Sequence, residues 1–459
     1  MEGFMEKREE IEAAAHLRVF IVDNGNTLEK HPEIQELLAR SRGAAGEEFI
    51  SVIANRNVGG TGGFTRGMIE ALDRKEKEGL THVLLMDDDA VFDPDIFVRL
   101  YGFLSSLKEA HRNITVGGVL LREDYPWIMQ AGGEWYGNFR GWNDHPLYDL
   151  RSFENSTADF MCEAGAGGKT LYSGWWCCCY SLNVVREDNL PVPMFLHHDD
   201  ISYGLQNAEH GIVFLNGVNA WHKGFGMSFA GVNEYYDVRN PLITASLFEP
   251  AVPRYKVIRK LWAAITVMLA EYRYAEGMLA YRGLKDFLRG PEWLCHTDAE
   301  ALHGELRAYI GKHFPLRPYE ELDDAEFGES KRQIKMAMER FDFAEVIRSE
   351  KSIQLKKAWI RLISFNGWLL PAKRGPVAVA ATDSLLRAFR RKKIVLFEPG
   401  SGKAAIARRD YRQLKKFIRI YFRSALLILK HYPRASAQYR QQYKEISSAA
   451  AWRRYLRIQ

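Results

Sequence analysis

Short apolar runs alternate with amphipathic segments along the first hundred residues of this 459-residue chain. Leu17–Val22, Phe49–Ala54 and His82–Met86 are short, apolar and rich in β-branched residues, which predicts buried strands of a parallel sheet. Helical patterns follow them at His31–Arg42, after Gly63, and at Asp95–Leu107 behind Pro94. This alternation predicts an α/β fold with a doubly wound, Rossmann-like sheet. Such sheets bind ligands at the carboxyl ends of their strands.

The pattern changes twice further along the chain. Beyond Leu121 it becomes aromatic and rich in glycine, and we predict one long strand over Leu171–Leu182 and another at Ile212–Leu215. From Asn233 onward helical periodicity dominates. We therefore expect three regions, namely an α/β domain over 1–250, a helical extension over 251–350 and a basic helical region over 351–459.

Cysteine usage and hydropathy indicate the class of protein. Five cysteines argue against a disulfide framework, since Cys177–Cys179 are consecutive and neighbours on a strand point to opposite faces. The charged N-terminus lacks the apolar segment of a secretory signal. The longest apolar run, Leu261–Ala270, would give about 15 Å of helix, half of what a bilayer core needs. We expect a soluble or peripheral protein in a reducing compartment.

Asn55–Gly67 follows a predicted strand and precedes a predicted helix, and it carries four glycines within five positions. Glycines let backbone N–H groups approach a ligand closely, and a helix N-terminus favours phosphate. Arg66 could add a charge-assisted contact. The segment has neither the Walker pattern nor a good dinucleotide fingerprint. A flexible turn is an equal alternative.

An acidic triplet of Asp87, Asp88 and Asp89 follows a predicted strand. Three adjacent carboxylates repel one another unless a cation neutralises them. Asp87 and Asp89 point the same way in extended geometry, so they could hold Mg²⁺ or Mn²⁺ together with diphosphate oxygens. A solvated turn is the alternative. His222, further on, could be a third metal ligand or a structural histidine.

Three other places could carry chemistry. Asp199 and Asp200 open a predicted helix, where one could cap the helix and the other serve as a general base. Trp175 and Trp176 are neighbours on a predicted strand, so at most one of them is core, and an exposed indole suits stacking on a sugar. A buried aromatic strand is as good an interpretation. Arg239, on a predicted helix, could contact a phosphate or simply pack.

Taken in order, these motifs resemble family 2 glycosyltransferases of the GT-A fold, and above all bacterial galactofuranosyltransferases that extend cell-surface galactan. The resemblance covers roughly residues 16–250 and rests on N-x-G-G-x-G-G-F-x-R, M-D-D-D, G-W-W, H-D-D with E-H-G, W-H and Y-Y-x-x-R-N. The family's roles, carried over by position, are metal binding by Asp87, Asp89 and His222; catalysis by Asp200 as base with Asp199 beside it; nucleotide-sugar binding by Asn57, Gly59, Gly60, Gly62, Gly63, Arg66 and Asp88; and acceptor binding by Trp175, Trp176 and His198.

The resemblance implies an inverting enzyme that uses Mn²⁺ or Mg²⁺ to move galactofuranose from UDP-galactofuranose to a sugar hydroxyl of a glycan or glycolipid. Transfer of another nucleotide-linked sugar such as rhamnose, or an inactive carbohydrate- or lipid-binding relative, are the alternatives. Family members begin with a strand that ends in a T-x-N-R type motif, whereas this chain opens at what resembles the second strand, His16–Asn24. We expect either a truncated start or a nucleotide site that is completed differently.

Charge is distributed unevenly along the chain. Residues 351–459 contain 26 Lys and Arg but only four Asp and Glu, while the first 250 residues are net acidic. Arg412–Lys430 predicts an amphipathic helix with Leu426, Leu427 and Ile428 opposite its basic residues. We expect this helix to dock on anionic lipid, which would place the protein at the cytoplasmic face of the plasma membrane. A basic face that pairs with the acidic half or with another subunit is the alternative, and nucleic acid is disfavoured because no nucleic-acid motif is present.

Overall fold

The computed structural model describes residues 17–41, 49–144, 147–157, 169–225, 227–339, 366–383 and 387–458. The strands in these ranges are β1 (Val19–Asp23), β2 (Ile50–Ala54), β3 (His82–Met86), β4 (Val91–Phe92), β5 (Thr115–Arg122), β6 (Met129–Ala131), β7 (Glu134–Gly137), β8 (Arg140–Asn143), β9 (Thr170–Leu171), β10 (Cys177–Ser181), β11 (Ile212–His222), β12 (Arg317–Pro318), β13 (Ala378–Ala380), β14 (Lys393–Glu398) and β15 (Lys403–Arg408).

The α-helices in the same ranges are α1 (Pro32–Ser41), α2 (Gly59–Glu78), α3 (Asp95–Ser105), α4 (Phe153–Ser156), α5 (Asp199–Gln206), α6 (Asn233–Phe248), α7 (Arg254–Ala270), α8 (Tyr274–Phe287), α9 (Pro291–His296), α10 (Ala299–His313), α11 (Asp324–Glu339), α12 (Tyr411–Ile446) and α13 (Ala449–Leu456). The bounds of β1, β2, β3, α1 and α3 lie within two residues of those predicted.

The strands of the α/β half form a mixed arrangement. β1 and β2 are parallel and make a sheet of their own, from Val19 opposite Ile50 to Asp23 opposite Ala54. The main sheet has the order β3-β10-β5-β11-β4, in which β5 and β11 are parallel and β10 runs antiparallel to both neighbours. The predicted strands β1, β2 and β3 are therefore present, but β3 lies in a different sheet from β1 and β2, and β10 runs opposite to its neighbours. A short apolar run such as Cys177–Ser181 predicts burial, but it contains no information on strand direction.

The predicted long strand over Leu171–Leu182 is wrong, because β9 and β10 are separated by a bend. At Gly174 an added Cβ would lie 2.2 Å from the ring of Trp176, so the chain folds back there as only glycine allows. The strand predicted at Ile212–Leu215 instead continues to His222 through a bulge. Both differences place side chains at the same edge of the main sheet.

The second half of the chain packs around one large apolar core. α6, α7, α8 and α12 all contribute to it, and strands of a second, four-stranded sheet with the order β12-β15-β14-β13 join them. The prediction of a wholly helical region over 351–459 is therefore wrong. Ile394 and Leu396 on β14 are fully buried, but the surrounding basic residues mask this apolar run in the charge pattern.

The last helix, α13, returns to the α/β half. Trp452 is 1% exposed and packs in one cluster with Val58 and Met68, close to the start of α2. Its indole Nε1 donates a hydrogen bond to the carbonyl oxygen of Pro191 at 2.6 Å. The end of the chain is thus part of the core beneath the glycine-rich segment.

Candidate active site

Polar side chains gather at one edge of the main sheet. Asp87 follows β3, Arg122 ends β5 and His222 ends β11, and these three strands run in the same direction. Because β10 is antiparallel, the bend before it lies at the same edge, where the carbonyl oxygen of Trp176 accepts a hydrogen bond from Asp87 N at 3.4 Å. The carboxyl ends of parallel strands are where such sheets bind ligands.

Three carboxyls after β3 form a compact acidic cluster. One carboxylate oxygen from each of Asp87, Asp88 and Asp89 lies within 4.8 Å of the others. Burial, and then repulsion from Asp89 and Asp88, raises the pKa of Asp87 to about 6. Asp88 and Asp89 are exposed, so the cluster opens to solvent. Carboxylate oxygens at this spacing suit a hard divalent cation such as Mg²⁺ or Mn²⁺.

His222 lies beside this cluster in the orientation of a metal ligand. Its Nε2 lies 3.2 Å from Asp89 Oδ2, and its Nδ1 lies 2.6 Å from the carbonyl oxygen of Lys223. A carbonyl oxygen only accepts, so Nδ1 is the donor in this contact, and Nε2 is the ring nitrogen that faces the acidic cluster. Metal-binding histidines are commonly oriented through their second nitrogen in this way. His222 therefore contacts the acidic cluster through Asp89, and imidazole and carboxylate donors suit a divalent cation.

The glycine-rich segment is the first turn of α2 rather than a loop. The helix begins at Gly59 and not, as predicted, after Gly63. Gly59 has a φ of +79°, and a Cβ there would lie 2.2 Å from the carbonyl oxygen of Phe195. The same oxygen accepts a hydrogen bond from Thr61 N at 3.2 Å. The turn is thereby bound to the segment that precedes Asp199.

The remaining glycines differ in how much space surrounds them. Gly62 has no room for a side chain, because a Cβ would lie 2.1 Å from Val58 Cγ2. A Cβ on Gly63 would lie 3.1 Å from Asn24 Nδ2, whereas one on Gly60 would have no neighbour closer than 3.7 Å. Close packing thus accounts for Gly62 and Gly63, whereas a side chain on Gly60 would make only an ordinary contact with Leu196.

Two polar residues flank this turn. Asn57 Oδ1 accepts a hydrogen bond from Gly59 N at 3.2 Å, which shapes the entry to the helix. Arg66 lies one turn into the helix, where its Nη1 pairs with Glu70 Oε1 at 2.5 Å. The guanidinium is thus already paired with a carboxylate, whereas the resemblance implies that Arg66 binds the nucleotide sugar.

Asp199 and Asp200 begin α5, as predicted, and both are half-buried. Asp199 Oδ2 accepts a hydrogen bond from Thr61 Oγ1, and Asp200 Oδ1 accepts one from Ile201 N, each at 2.7 Å. Burial, followed by repulsion from Asp199, raises the pKa of Asp200 to about 7. Burial also raises the pKa of Asp199. A carboxyl with a pKa near neutrality is suited to accept a proton from a hydroxyl group.

The backbone before this pair is strained and is held by α6. Phe195, His197 and His198 have φ values of +73°, +62° and +66°, a region that costs energy for residues other than glycine. Asn240 Nδ2 donates to the carbonyl oxygen of His197 at 2.8 Å, and Arg239 Nη2 donates to a carbonyl of the same segment at 2.6 Å. Both side chains are buried. Of the two alternatives for Arg239, packing is the one observed, and it positions the carboxyl pair.

The two neighbouring tryptophans divide between core and cleft. Trp175 is 4% exposed, and its Nε1 donates to the hydroxyl of Tyr180 at 3.2 Å. It is a core residue, so its ring does not face the acceptor as the resemblance implies. Trp176 is half-buried, and its ring centre lies 6.4 Å from that of Phe225, which in turn lies 5.3 Å from His222. An aromatic surface therefore adjoins the acidic cluster.

His198, the last strained residue before the carboxyl pair, has a neutral ring. Burial, and then the charge of Lys260, lowers its pKa to about 3. Its buried Nδ1 has no hydrogen-bond partner among the described residues. The acceptor contact that the resemblance implies for His198 stays a prediction.

Sequence reasoning missed Glu134 on β7. Gly174 N donates to its Oε1 at 3.4 Å, and Oε2 is buried without a partner among the described residues. Burial raises the pKa of Glu134 to about 8, and the charge of Asp200 contributes to the increase. One acidic residue in an aromatic stretch gives no signal in the sequence, because only the bend at Gly174 brings it near the carboxyl pair.

A family comparison accounts for this arrangement. Residues 12–233 match the model of the family described as glycosyltransferase like family 2. Residues 12–233 are therefore similar to a family 2 glycosyltransferase domain. The match contains the glycine-rich turn, the acidic cluster, the carboxyl pair and His222. The mixed α/β half followed by a largely helical half is consistent with the GT-A fold that the motifs imply.

Two curated relatives agree with this assignment. Galactofuranosyltransferase GlfT2 of Mycobacterium tuberculosis is 28% identical over 312 residues, which are 65% of this chain and 47% of that protein. Galactofuranosyltransferase GlfT2 of Mycolicibacterium smegmatis is 29% identical over 290 residues, or 60% of this chain and 42% of that protein. The family predicted from the motifs is confirmed. This chain spans about half the length of the curated relatives that it matches.

Two sequence predictions concern the chain as a whole. None of the helices in the described ranges has both the length and the apolar character needed to span a bilayer. The four described cysteines, Cys177, Cys178, Cys179 and Cys295, are free, as expected. Cys162 lies outside the described residues.

Proposed function

We propose that this chain transfers galactofuranose from UDP-galactofuranose to a sugar hydroxyl of a cell-surface glycan, with inversion at the anomeric carbon. The identity to two galactofuranosyltransferases supports the choice of sugar. A candidate metal cluster and a separate carboxyl of near-neutral pKa support the chemistry. The single observation that carries the proposal is the approach of His222 Nε2 to within 3.2 Å of Asp89 Oδ2 at the carboxyl end of the sheet.

Asp87, Asp89 and His222 would hold Mn²⁺ or Mg²⁺, with Asp88 near enough to contribute. When bound, the cation supplies the positive charge that neutralises a nucleoside diphosphate. The first turn of α2, with Asn57 before it and the loosely packed Gly60 within it, would receive the nucleotide sugar. This turn needs no loop movement, because the Phe195 backbone already fixes it.

Asp200 would act as the general base. The acceptor hydroxyl gives its proton to Asp200 while its oxygen forms the new bond to the anomeric carbon, and the bond from that carbon to the diphosphate oxygen breaks. One displacement inverts the configuration, and UDP leaves with the bonding electrons. Asp199, fixed by Thr61, would shape the site and keep the pKa of Asp200 high.

Trp176 and His198 are the proposed acceptor contacts. Trp176 offers a half-buried ring next to the acidic cluster, and His198 lies beside the base with a buried Nδ1 that forms no hydrogen bond within the described part of the chain. An indole face suits the apolar face of a sugar. A lipid-linked acceptor would place the enzyme at the cytoplasmic face of the plasma membrane. Rhamnosyl transfer is the second candidate, and an inactive carbohydrate- or lipid-binding relative is the third.

A donor screen with purified chain, in the presence of Mn²⁺ and after EDTA, tests the proposal. Asp200→Asn should lower turnover by about a thousandfold, which is within the usual contribution of a general base, and should leave UDP binding with Mn²⁺ intact. Asp188→Asn is the matched control, because that side chain is 77% exposed and pairs with Arg186 on the surface, and it should behave like the unmodified chain. Turnover with a rhamnosyl donor alone would select the second candidate. A chain that never binds UDP would select the third, and unchanged turnover in Asp200→Asn would refute the assignment of the base.

A further inference from the structure

The long helix α12 exposes an apolar stripe to solvent. It has 36 residues and is therefore about 54 Å long. Its inner face is buried in the core of the second half, at Phe417, Ile420 and Ile428. Its outer face carries Ile418, Phe422, Leu426 and Leu429, whose exposed fractions are 44%, 68%, 66% and 47%. Spacings of four, four and three residues place these four side chains along one line of the helix.

Basic side chains border this stripe on one side. Arg419, Arg423 and Lys430 each follow a stripe residue by one position, which places them about 100° around the helix from it. Arg412 and Lys416 continue the same row, and all five are exposed. None of the five forms an ion pair with another described residue, and the first acidic residue of the helix is Glu445. The face is thus apolar along one line and cationic along the next.

α7 lies beside this part of α12 and keeps it in place. Arg254 Nη1 donates to the carbonyl oxygen of Leu429 at 3.0 Å, and Trp262 Nε1 donates to Ser424 Oγ at 3.2 Å. The two helices therefore run antiparallel, and α7 adds Tyr255, which is 62% exposed, near the Leu429 end of the stripe. The surface is rigid and already formed, so no folding step is needed for it to bind.

We propose that the Ile418–Leu429 face of α12 lies in the headgroup region of an anionic membrane. Apolar side chains with adjacent Lys and Arg match such a surface, where the side chains enter the acyl boundary and the cations meet lipid phosphates. A symmetric contact between two copies would bring the unpaired cations of both together, which is unfavourable. Nucleic acid would leave the apolar stripe without a partner. Docking by this face would bring the active site close to a lipid-linked acceptor, and this part of the inference rests on the proposed function. The binding test does not depend on turnover.

Sedimentation of the full chain with vesicles tests this surface. We expect binding to vesicles of phosphatidylcholine with phosphatidylserine, weaker binding at high salt, and little binding to phosphatidylcholine alone. Arg419→Gln with Arg423→Gln should weaken binding about 25-fold, or fivefold per charge. Phe422→Ser with Leu426→Ser should weaken it about a hundredfold. Met336→Ser, which removes a 45% exposed apolar side chain on α11, is the control and should bind normally.

Three results would overturn the proposal. The unmodified chain could fail to bind anionic vesicles, or either double variant could bind as well as the control. Light scattering could instead show a dimer that Phe422→Ser with Leu426→Ser dissociates, which would make the face an interface between two copies. Thermal unfolding checks that the variants are folded, and we expect no change because all four side chains are exposed. A chain that binds vesicles but transfers no sugar would refute the proposed function and leave this surface standing.

Discussion

Removal of the Trp452 indole should destabilise the active site from a distance. The side chain is fully buried against the start of α2, so Trp452→Ala creates a large cavity, which typically costs about 3–5 kcal/mol of unfolding free energy. The carbonyl of Pro191 also loses its donor, and an orphaned buried carbonyl costs about 1–3 kcal/mol where water cannot reach it. Since water can enter the new cavity, we expect a total near 4 kcal/mol.

The effect should be visible in both stability and ligand binding. Urea unfolding followed by circular dichroism should show the lower stability, and calorimetry with Mn²⁺ should show weaker UDP binding, because Val58 and Gly62 lose support. Trp452→Phe should cost only about 1–2 kcal/mol, since it keeps most of the buried area. Arg453→Ala, which removes a partly exposed ion pair with Asp73, is the control and should stay within about 1 kcal/mol. If Trp452→Ala matched this control, α13 would not be part of the core.

Three further predictions concern the site itself. Gly59→Ala should abolish UDP binding, because its Cβ would collide with the Phe195 carbonyl. Gly79→Ala is the control: Gly79 also has a positive φ, but a Cβ there has no neighbour within 4 Å, so urea unfolding should show a loss of only about 1 kcal/mol. Asn240→Ala should lower the free energy of unfolding by about 2 kcal/mol and should also lower turnover, because it frees the strained segment before Asp199. Turnover equal to that of the unmodified chain would exclude a positioning role for Asn240. Turnover per unit of bound substrate should rise with pH through a pKa of about 7, where Asp200 loses its proton, and a profile without this step would contradict the base assignment. The free energy of unfolding should change in the opposite direction. Between about pH 4 and about pH 7 the native state keeps a proton on Asp200, whereas the unfolded chain, with its ordinary pKa of 3.8, has released it. The unfolding free energy therefore falls as the pH rises from about 4 to about 7.

Much of the site could be predicted because its chemistry sits at strand ends. An apolar run followed by Asp87–Asp89 defines both the strand and the position of the carboxylates, and the helix that starts at Asp199 is similarly local. The motif order then brought His222 to the same cluster, which no local pattern could do. Composition and spacing also predicted that only one of the two tryptophans would be core, but not which one.

The missed features depend on contacts between distant parts of the chain. Glu134 reaches the carboxyl pair only because Gly174 bends the chain, and α13 supports the glycine-rich turn from nearly 400 residues away. The pairing of Arg66 with Glu70 follows the four-residue spacing of a helix, but it becomes visible only once the helix is known to begin at Gly59. Strand direction was likewise undetermined, since β10 is apolar whichever way it runs.

The central claim is that Asp87, Asp89 and His222 hold one divalent cation that a nucleoside diphosphate requires. Calorimetric titration of UDP into the full chain, with Mn²⁺ and then with EDTA, tests it most directly, with Asp89→Asn and His222→Ala as variants and Asp188→Asn as control. We predict that the unmodified chain and the control bind UDP only with Mn²⁺, and that both variants lose at least tenfold in affinity. Equal UDP affinity in EDTA and in Mn²⁺, or unchanged Mn²⁺-dependent binding in both variants, would contradict the account.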